Sequence, residues 1–208
     1  MSFKIEEDKE ITKHKSGITS NDRAVYFNQQ PLTIWMTGLS AAGKSTLAFA
    51  LEFELHQRGF KSYVLDGDNV RHGINKDLGF SHHDRSENVR RIAEIAHLMN
   101  DAGLVVICAL ISPFVADRLI AKEIIGKERF IEVYVNTPMS TCEVRDPKSL
   151  YRKARAGGLL DFTGVDSHYE HPQNPDCSID TSNLSLDINI KILLEAILPK
   201  ISLKKSAV

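Results

Sequence analysis

The sequence predicts an α/β fold in which a parallel sheet carries helices on both of its faces. Short apolar, β-prone runs alternate with helix-permissive segments along the 208-residue chain, and this alternation favours a parallel sheet with right-handed crossovers. The run at 104–111 is continuously apolar, as is typical of a strand that is covered on both faces. A glycine-rich loop at 38–46 lies between a predicted strand and a predicted helix.

That loop fits the pattern G-x-x-x-x-G-K-[ST] of a phosphate-binding loop (P-loop). Such a loop directs its backbone N–H groups toward phosphates, and the following helix adds the positive end of its dipole. We expect Lys44 to reach the β- and γ-phosphates and the Ser45 hydroxyl to ligate Mg²⁺. The motif predicts a nucleoside-triphosphate site of the P-loop NTPase type, formed by Gly38, Leu39, Ser40, Ala41, Ala42, Gly43, Lys44, Ser45 and Thr46.

Composition limits the possible functions. A chain with 42% hydrophobic residues can bury one good core. Its net charge of −1 argues against non-specific nucleic-acid binding, and no apolar run approaches the ~18 residues of a membrane span. The widely spaced Cys108, Cys142 and Cys177 form no C-x-x-C pair and suit a reducing compartment. We therefore expect a cytoplasmic protein without a nucleic-acid or membrane partner.

The remaining elements follow from the apolar runs and their glycine or proline boundaries. Residues 1–30 are predicted to be an N-terminal arm, loosely held up to residue 19, with a short helix at 21–28 that Ser20 caps. Residues 31–208 are predicted to form the catalytic domain. Its predicted strands are 32–37, 61–65, 104–111, 130–135 and 177–180. Its predicted helices are 46–57, 81–100, 114–125, 138–144 and a last one that begins near 186 and ends at Pro199.

The segment at about 146–175 differs from the rest of the domain. It carries basic residues, glycines and prolines but little periodicity. So long a segment without regular structure inside a compact domain is usually a lid or a binding loop. We expect it to be a lid whose cations clamp a transferring phosphoryl group, and these cations are Lys148, Arg152, Lys153 and Arg155.

Polar residues follow several of the predicted strands. Ligands of parallel α/β sheets bind beyond the carboxyl ends of the strands, and this places the P-loop beside Asp66, Asp68, the pair 112–113 and the pair 136–137. Asp66 and Asp68 are candidates for holding Mg²⁺ through water or accepting a proton. A basic and amide-bearing group follows them, comprising Arg71, Arg85, Asn88, Arg90 and Arg91, of which a helix can turn only some toward one ligand.

The sequence argues against one other function and leaves a second open. A GTPase switch requires an Asn-Lys-x-Asp guanine reader, which the stretch 75–78 misses at its fourth position. A GTPase switch also requires an Asp-x-x-Gly loop after a core strand. The residues 161–164 match this pattern, but they lie late in the chain and follow no predicted strand. A different nucleotide or small-molecule kinase of similar size stays open on physical grounds.

Several segments together resemble the adenylylsulfate kinase (APS kinase) family, in register over about residues 33–181. These segments are 66–71 (DGDNVR), 77–81 (DLGFS), 84–91 (DRSENVRR), 111–113 (ISP), 130–135 (FIEVYV), 142–148 (CEVRDPK), 151–157 (YRKARAG) and 162–166 (FTGVD). The resemblance implies a P-loop kinase that uses ATP and Mg²⁺. Such a kinase transfers the γ-phosphoryl group of ATP to the 3′-hydroxyl of adenosine 5′-phosphosulfate (APS), in sulfate assimilation. The products are 3′-phosphoadenosine 5′-phosphosulfate and ADP.

The resemblance also implies residue roles and partners. Asp68 is expected to be the base or to orient the acceptor hydroxyl, and Asp66 with Ser45 to hold Mg²⁺. In the family, the serine that corresponds to Ser112 is described as a phosphoserine intermediate, although direct in-line transfer needs none. The residues expected to bind the acceptor are Arg71, Phe80, Arg85, Asn88, Ser112, Lys148 and Phe162, and Arg155 is expected to bind ATP. A homodimer and a separate ATP sulfurylase partner are also expected.

The chain departs from the family pattern in its P-loop and its lid. Ala41 stands where a glycine is usual, which is tolerable if its φ is negative. In the lid, Ser149 replaces a usual glycine and Gly158 a usual glutamate. None of these departures removes a side chain that is assigned to the chemistry.

Overall fold

The computed structural model describes residues 12, 14, 16–159 and 161–203. They contain a five-stranded sheet in the order β2-β3-β1-β4-β5, and every neighbouring pair of strands is parallel. The strands are β1 (Leu32–Thr37), β2 (Ser62–Asp66), β3 (Val105–Ala109), β4 (Phe130–Val135) and β5 (Cys177–Ile179). The predicted fold class is therefore confirmed.

Helices connect the strands and cover the sheet. They are α1 (Ser20–Phe27), α2 (Lys44–Gln57), α3 (Gly67–Arg71), α4 (His82–Asp101), α5 (Val115–Ile125), α6 (Met139–Arg145), α7 (Leu150–Arg155) and α8 (Leu186–Ile201), with a 3₁₀ turn at Lys127–Arg129. None of the helices in the described part of the chain is long and apolar enough to cross a membrane.

Two apolar cores lie on opposite faces of the sheet, because successive strand residues point in opposite directions. Ile34 belongs to the core formed with α2 and α8. Trp35, the next residue, is fully buried in the core formed with α4 and α5. The sheet is thus covered on both faces, which explains the continuous apolar character of β3.

Most predicted elements are present, and the differences at their ends follow from specific contacts. The cap of α1 is Thr19 rather than Ser20, because the Thr19 hydroxyl accepts from the Asp22 N–H while the Asp22 carboxylate reaches back to the backbone of Thr19. The last helix does not end at Pro199 but continues to the fully buried Ile201, whose carbonyl accepts from the Gln30 N–H at 2.7 Å.

Short helices form in two segments to which the sequence pattern assigned no strand or helix. α3 follows β2 directly, because the Asp66 carboxylate accepts from the N–H groups of Asp68 and Asn69 and so caps it. The lid region contains α7, where the Asp146 carboxylate accepts from the N–H groups of Tyr151 and Arg152. Most of the loosely held arm predicted at 1–19 lies outside the described residues.

Candidate active site

A cavity of about 860 Å³ opens at the carboxyl edge of the sheet. It is lined by residues of the P-loop, by 66–68 at the end of β2 and by 112–113 after β3, as the strand-end rule predicts. The pair 136–137 after β4, which was also predicted to lie here, does not line the cavity. The Thr137 hydroxyl instead donates to the carbonyl of Ala42 at 2.9 Å and so supports the P-loop. The cavity is therefore built on the ends of β1, β2 and β3.

The P-loop needs glycine where it passes closest to the sheet. Gly38 has a φ of 153°, and a Cβ there would lie 2.6 Å from the carbonyl oxygen of Val135. Ala41 has a φ of 60°, so the condition of a negative φ is not met. The left-handed conformation costs an alanine about 1–2 kcal/mol. Neighbouring contacts hold this part of the loop, since Thr137 and Thr181 both donate to the carbonyl of Ala42.

Lys44 lies buried beneath the loop at the start of α2. Its ammonium donates to the carbonyls of Gly38 at 2.9 Å and Leu39 at 2.6 Å. Burial lowers the pKa of Lys44 to about 8, and the nearby Cys142 and Asp66 only partly oppose this effect. A buried cation on the phosphate loop provides the charge needed to bind the β- and γ-phosphates.

The lowered pKa predicts that nucleotide affinity falls with rising pH. The ammonium of the free protein loses its proton as the pH passes about 8, whereas a bound triphosphate favours the charged form. We expect the affinity for the ATP analogue AMPPNP, measured by calorimetry, to weaken by about tenfold between pH 7 and pH 9. The uncharged variant Lys44→Met should bind weakly at every pH. A flat profile for the wild type up to pH 9 would show that Lys44 keeps its proton there.

Asp66 and Ser45 form a donor set that suits a hard cation. The Ser45 hydroxyl donates to the Asp66 carboxylate at 2.6 Å, and Asp66 is only 6% exposed at the carboxyl end of β2. A hydroxyl and a carboxylate oxygen are ligands that Mg²⁺ uses in phosphate sites, where water and phosphate oxygens complete its coordination. The residues therefore fit the predicted metal.

Asp68 faces a different environment from Asp66. It lies in the first turn of α3, lines the cavity and pairs with the Lys148 ammonium. Its side chain is 63% exposed, so a substrate hydroxyl can approach it. The two aspartates thus occupy separate positions, Asp66 against the P-loop and Asp68 toward open space and the lid.

The wall beyond Asp68 combines aromatic and cationic side chains. The Arg71 guanidinium lies 4.6 Å from the centre of the exposed Phe80 ring. Arg85 donates to the carbonyls of Phe80 and Asp161 and to the hydroxyl of Thr163, so it connects this wall to the lid. All of the residues predicted to bind the acceptor substrate line the cavity. They are Asp68, Arg71, Phe80, Arg85, Asn88, Ser112, Lys148 and Phe162.

Two of these residues are held by buried neighbours. The Asn88 side-chain oxygen accepts from the buried Asn75 at 3.0 Å, and the Phe162 ring packs edge-on against Tyr151 at 5.0 Å. Ser112 is buried with a φ of 36°, and its hydroxyl accepts from the indole N–H of Trp35 at 3.1 Å. A residue held in this sparsely populated conformation is typical of an active-site turn.

The lid cations do not all converge on the cavity. Lys148 lines it, whereas Arg152 donates to the Ser149 hydroxyl and Arg155 pairs with Glu143 at 2.6 Å. Neither of these arginines nor Lys153 is a lining residue. The structure thus brings only Lys148 of the expected clamp into the cavity, and the contact of Arg155 with ATP stays a prediction.

The sequence reasoning missed three residues that support the P-loop. Arg145, at the end of α6, lines the cavity and donates to the hydroxyl and the carbonyl of Thr181. Thr181 in turn contacts the loop through Ala42. Tyr151 of α7 donates to the carbonyl of Ser40 at 3.1 Å. The rule on strand ends could have identified Thr181, because it follows β5 closely.

The fold and the cavity define a P-loop kinase, with a phosphate loop on one side and an aromatic, cationic wall beside Asp68 on the other. The family model of adenylylsulphate kinase matches residues 30–180. The chain belongs to the adenylylsulfate kinase family. The predicted family and the predicted ATP-dependent kinase activity are thereby confirmed.

Individual relatives agree with this assignment. The chain is 51% identical over 186 residues to an adenylyl-sulfate kinase of Citrobacter koseri, covering 89% of this chain and 92% of the relative. It is 49% identical over 190 residues to that of Vibrio vulnificus, covering 91% and 92%. The Mycobacterium tuberculosis APS kinase, solved with AMPPNP and APS, superposes with a TM-score of 0.79 at 44% identity, covering 81% of this chain and 98% of that one.

Proposed function

We propose that the chain transfers the γ-phosphoryl group of ATP to the 3′-hydroxyl of APS, with the phosphates on the P-loop and the acceptor beside Asp68. The observation that carries this proposal is the position of Asp68, which lines the same cavity as the P-loop and is open to a substrate hydroxyl. The solved relative in complex with AMPPNP and APS supports the same choice of substrates.

On the donor side, each role follows from charge and position. Lys44 binds the β- and γ-phosphates, and the N–H groups of the loop and of the first turn of α2 surround them. Asp66 and Ser45 would hold Mg²⁺, which neutralises phosphate charge when it is bound. Because phosphoryl transfer depends mainly on positioning and on charge stabilisation, these contacts provide most of the catalysis.

On the acceptor side, Asp68 orients the 3′-hydroxyl and takes its proton. Phe80 and Phe162 offer ring faces or edges to the adenine, and Arg71 and Arg85 with Asn88 provide donors for the phosphosulfate. Lys148 lies beside Asp68 and is placed to meet the transferring group. The homodimer, the separate ATP sulfurylase, the cytoplasmic location and the lid boundaries at about 146–175 stay predictions.

An assay of ADP formation with different acceptors tests the proposed substrate. We expect turnover with ATP and APS, and less with AMP or with nucleosides, because AMP lacks the sulfate and nucleosides lack the whole phosphosulfate that the basic wall can bind. Turnover with AMP but not with APS would favour a general nucleotide kinase. Hydrolysis of GTP without any acceptor would favour the switch function instead.

Replacing Ser112 with alanine separates direct transfer from a covalent mechanism. Ser112 lines the cavity, and its hydroxyl accepts a hydrogen bond from the Trp35 indole. Because this bond holds the hydroxyl in place, we expect Ser112 to position the substrate. Losing one hydrogen bond should reduce kcat by about tenfold, and ATP alone should leave no phosphoprotein. Isolation of a phospho-Ser112 intermediate that forms and decays as fast as turnover would instead require the covalent role.

A further inference from the structure

Arg118, on the first half of α5, is a buried cation that does not line the cavity. Its side chain is only 4% exposed. The charged group has a partner, because Nε donates to the Glu132 carboxylate of β4 at 2.7 Å. Its two terminal nitrogens are directed elsewhere, toward backbone carbonyls of two other segments.

The first of these carbonyls belongs to the turn that carries Ser112. One terminal nitrogen of Arg118 donates to the Ser112 carbonyl at 2.8 Å. Ser112 has a φ of 36°, a conformation that a serine keeps only when its surroundings hold it there. The hydroxyl of Thr37, at the end of β1, also donates to the Ile111 carbonyl at 2.7 Å. Arg118 thus provides a charged donor directly to the strained residue.

The second carbonyl belongs to Glu170, in the segment 169–171 that returns from the lid to the sheet. The other terminal nitrogen of Arg118 donates to it at 2.8 Å. The Glu170 N–H donates to the Pro113 carbonyl at 2.8 Å, and its carboxylate accepts from the Val115 N–H at 2.6 Å. The returning segment and the Ser112 turn are therefore bound to each other in both directions, with Arg118 donating to both.

Tyr169 extends this connection to the P-loop strand. Its hydroxyl lies 2.8 Å from the hydroxyl of Thr37, the residue that precedes Gly38. Its ring stacks on Tyr134 of β4 with centroids 6.0 Å apart. The end of the lid region is thus fixed to the strands beneath the active site.

We propose that Arg118 is a positioning residue for phosphoryl transfer, which holds the Ser112 turn in place and fixes the returning lid segment to it. The inference rests on the proposed function, because it assigns to Arg118 an effect on that reaction. The planar guanidinium binds acceptors on three segments at fixed angles, which the single ammonium of a lysine cannot reproduce. Arg118 acts through Ser112 and the lid, so it should affect transfer more than nucleotide binding.

The test compares a double variant with a matched control. Arg118→Met alone would leave the Glu132 carboxylate, which is only 18% exposed, without its partner and could prevent folding. The double variant Arg118→Met/Glu132→Gln removes both charges. Glu132→Gln alone retains the two bonds from Arg118 to the carbonyls, and its amide oxygen can still accept from Nε. We expect the control to keep kcat within about threefold of wild type. In the double variant kcat should fall by about a hundredfold, as for a misplaced reactive group.

Two further measurements distinguish positioning from a general structural role. The affinity for AMPPNP, measured by calorimetry, should be nearly equal in the control and the double variant. Hydrogen exchange should become faster in the double variant at the N–H groups of Val115 and Glu170. Arg118→Lys should keep the charge but still lower kcat, since its three N–H donors lie on one nitrogen and cannot reach acceptors on three separate segments.

Retention of kcat in the double variant would overturn the inference, as would a joint loss of kcat and AMPPNP affinity. Failure of the proposed function has a different signature, because wild type and Glu132→Gln would then both lack turnover with APS. The comparison of hydrogen exchange would still report whether Arg118 fixes the two segments. Unchanged exchange at Val115 and Glu170 would show that it does not.

Discussion

Replacing Lys44 with alanine should abolish phosphoryl transfer by a folded protein. The methyl group can neither reach nor neutralise the γ-phosphate. α2 has no other lysine or arginine that could take the place of Lys44. Losing one preorganised charge contact costs roughly 3 kcal/mol or more, which corresponds to about a hundredfold in kcat. The measurement is steady-state ADP formation with saturating APS, together with the affinity for AMPPNP.

Two further variants separate the charge from the packing of this side chain. Lys44→Met keeps most of the apolar stem and lacks the ammonium, so it should lose as much activity as alanine. Lys191→Ala removes an exposed lysine from α8 and should leave kcat unchanged. A folded Lys44→Ala protein with near-normal kcat would contradict the role assigned to the P-loop lysine.

Local patterns predict the architecture of this chain well because they reflect burial. The continuous apolar run of β3 and the glycine loop before α2 are readable without knowing any tertiary contact. The end of α8 shows the limit of prediction from local patterns. A proline normally ends a helix, yet α8 continues past Pro199 because Ile201 is buried and hydrogen-bonded to residue Gln30. Such a contact between distant segments leaves no local signal.

The difference between local patterns and contacts across the chain also decides which residues of the active site could be predicted. Asp66, Asp68 and Ser112 were predictable because they follow strands, and strand ends meet in a parallel sheet. Arg118 was not, since its acceptors at Ser112 and Glu170 lie 6 and 52 positions away. A basic residue in a lid-like segment is equally ambiguous. Of the cations expected there, Lys148 reaches the cavity, while Arg155 pairs with Glu143.

Exchanging either aspartate for asparagine should produce two different defects. Asp66→Asn keeps the shape of the side chain but weakens a hard-cation ligand beside Ser45. It should therefore raise the Mg²⁺ concentration needed for half-maximal rate. Asp68→Asn should leave that Mg²⁺ requirement unchanged, because Asp66 and Ser45 are intact. The two variants serve as controls for each other, since each removes one carboxylate charge from the same cavity.

Asp68→Asn should lower kcat on the order of a hundredfold or more, the usual range for loss of an acid–base group. A 3′-hydroxyl is a poor nucleophile at neutral pH, and the amide cannot take its proton. Affinity for AMPPNP should hardly change, because Lys44 and the P-loop are untouched.

Asp68 also pairs with Lys148, so Asp68→Asn should be combined with Lys148→Met in a double variant. If the double variant is no slower than Lys148→Met alone, Asp68 acts by placing that lysine. A Mg²⁺ defect in Asp68→Asn with a pure kcat defect in Asp66→Asn would reverse the two roles.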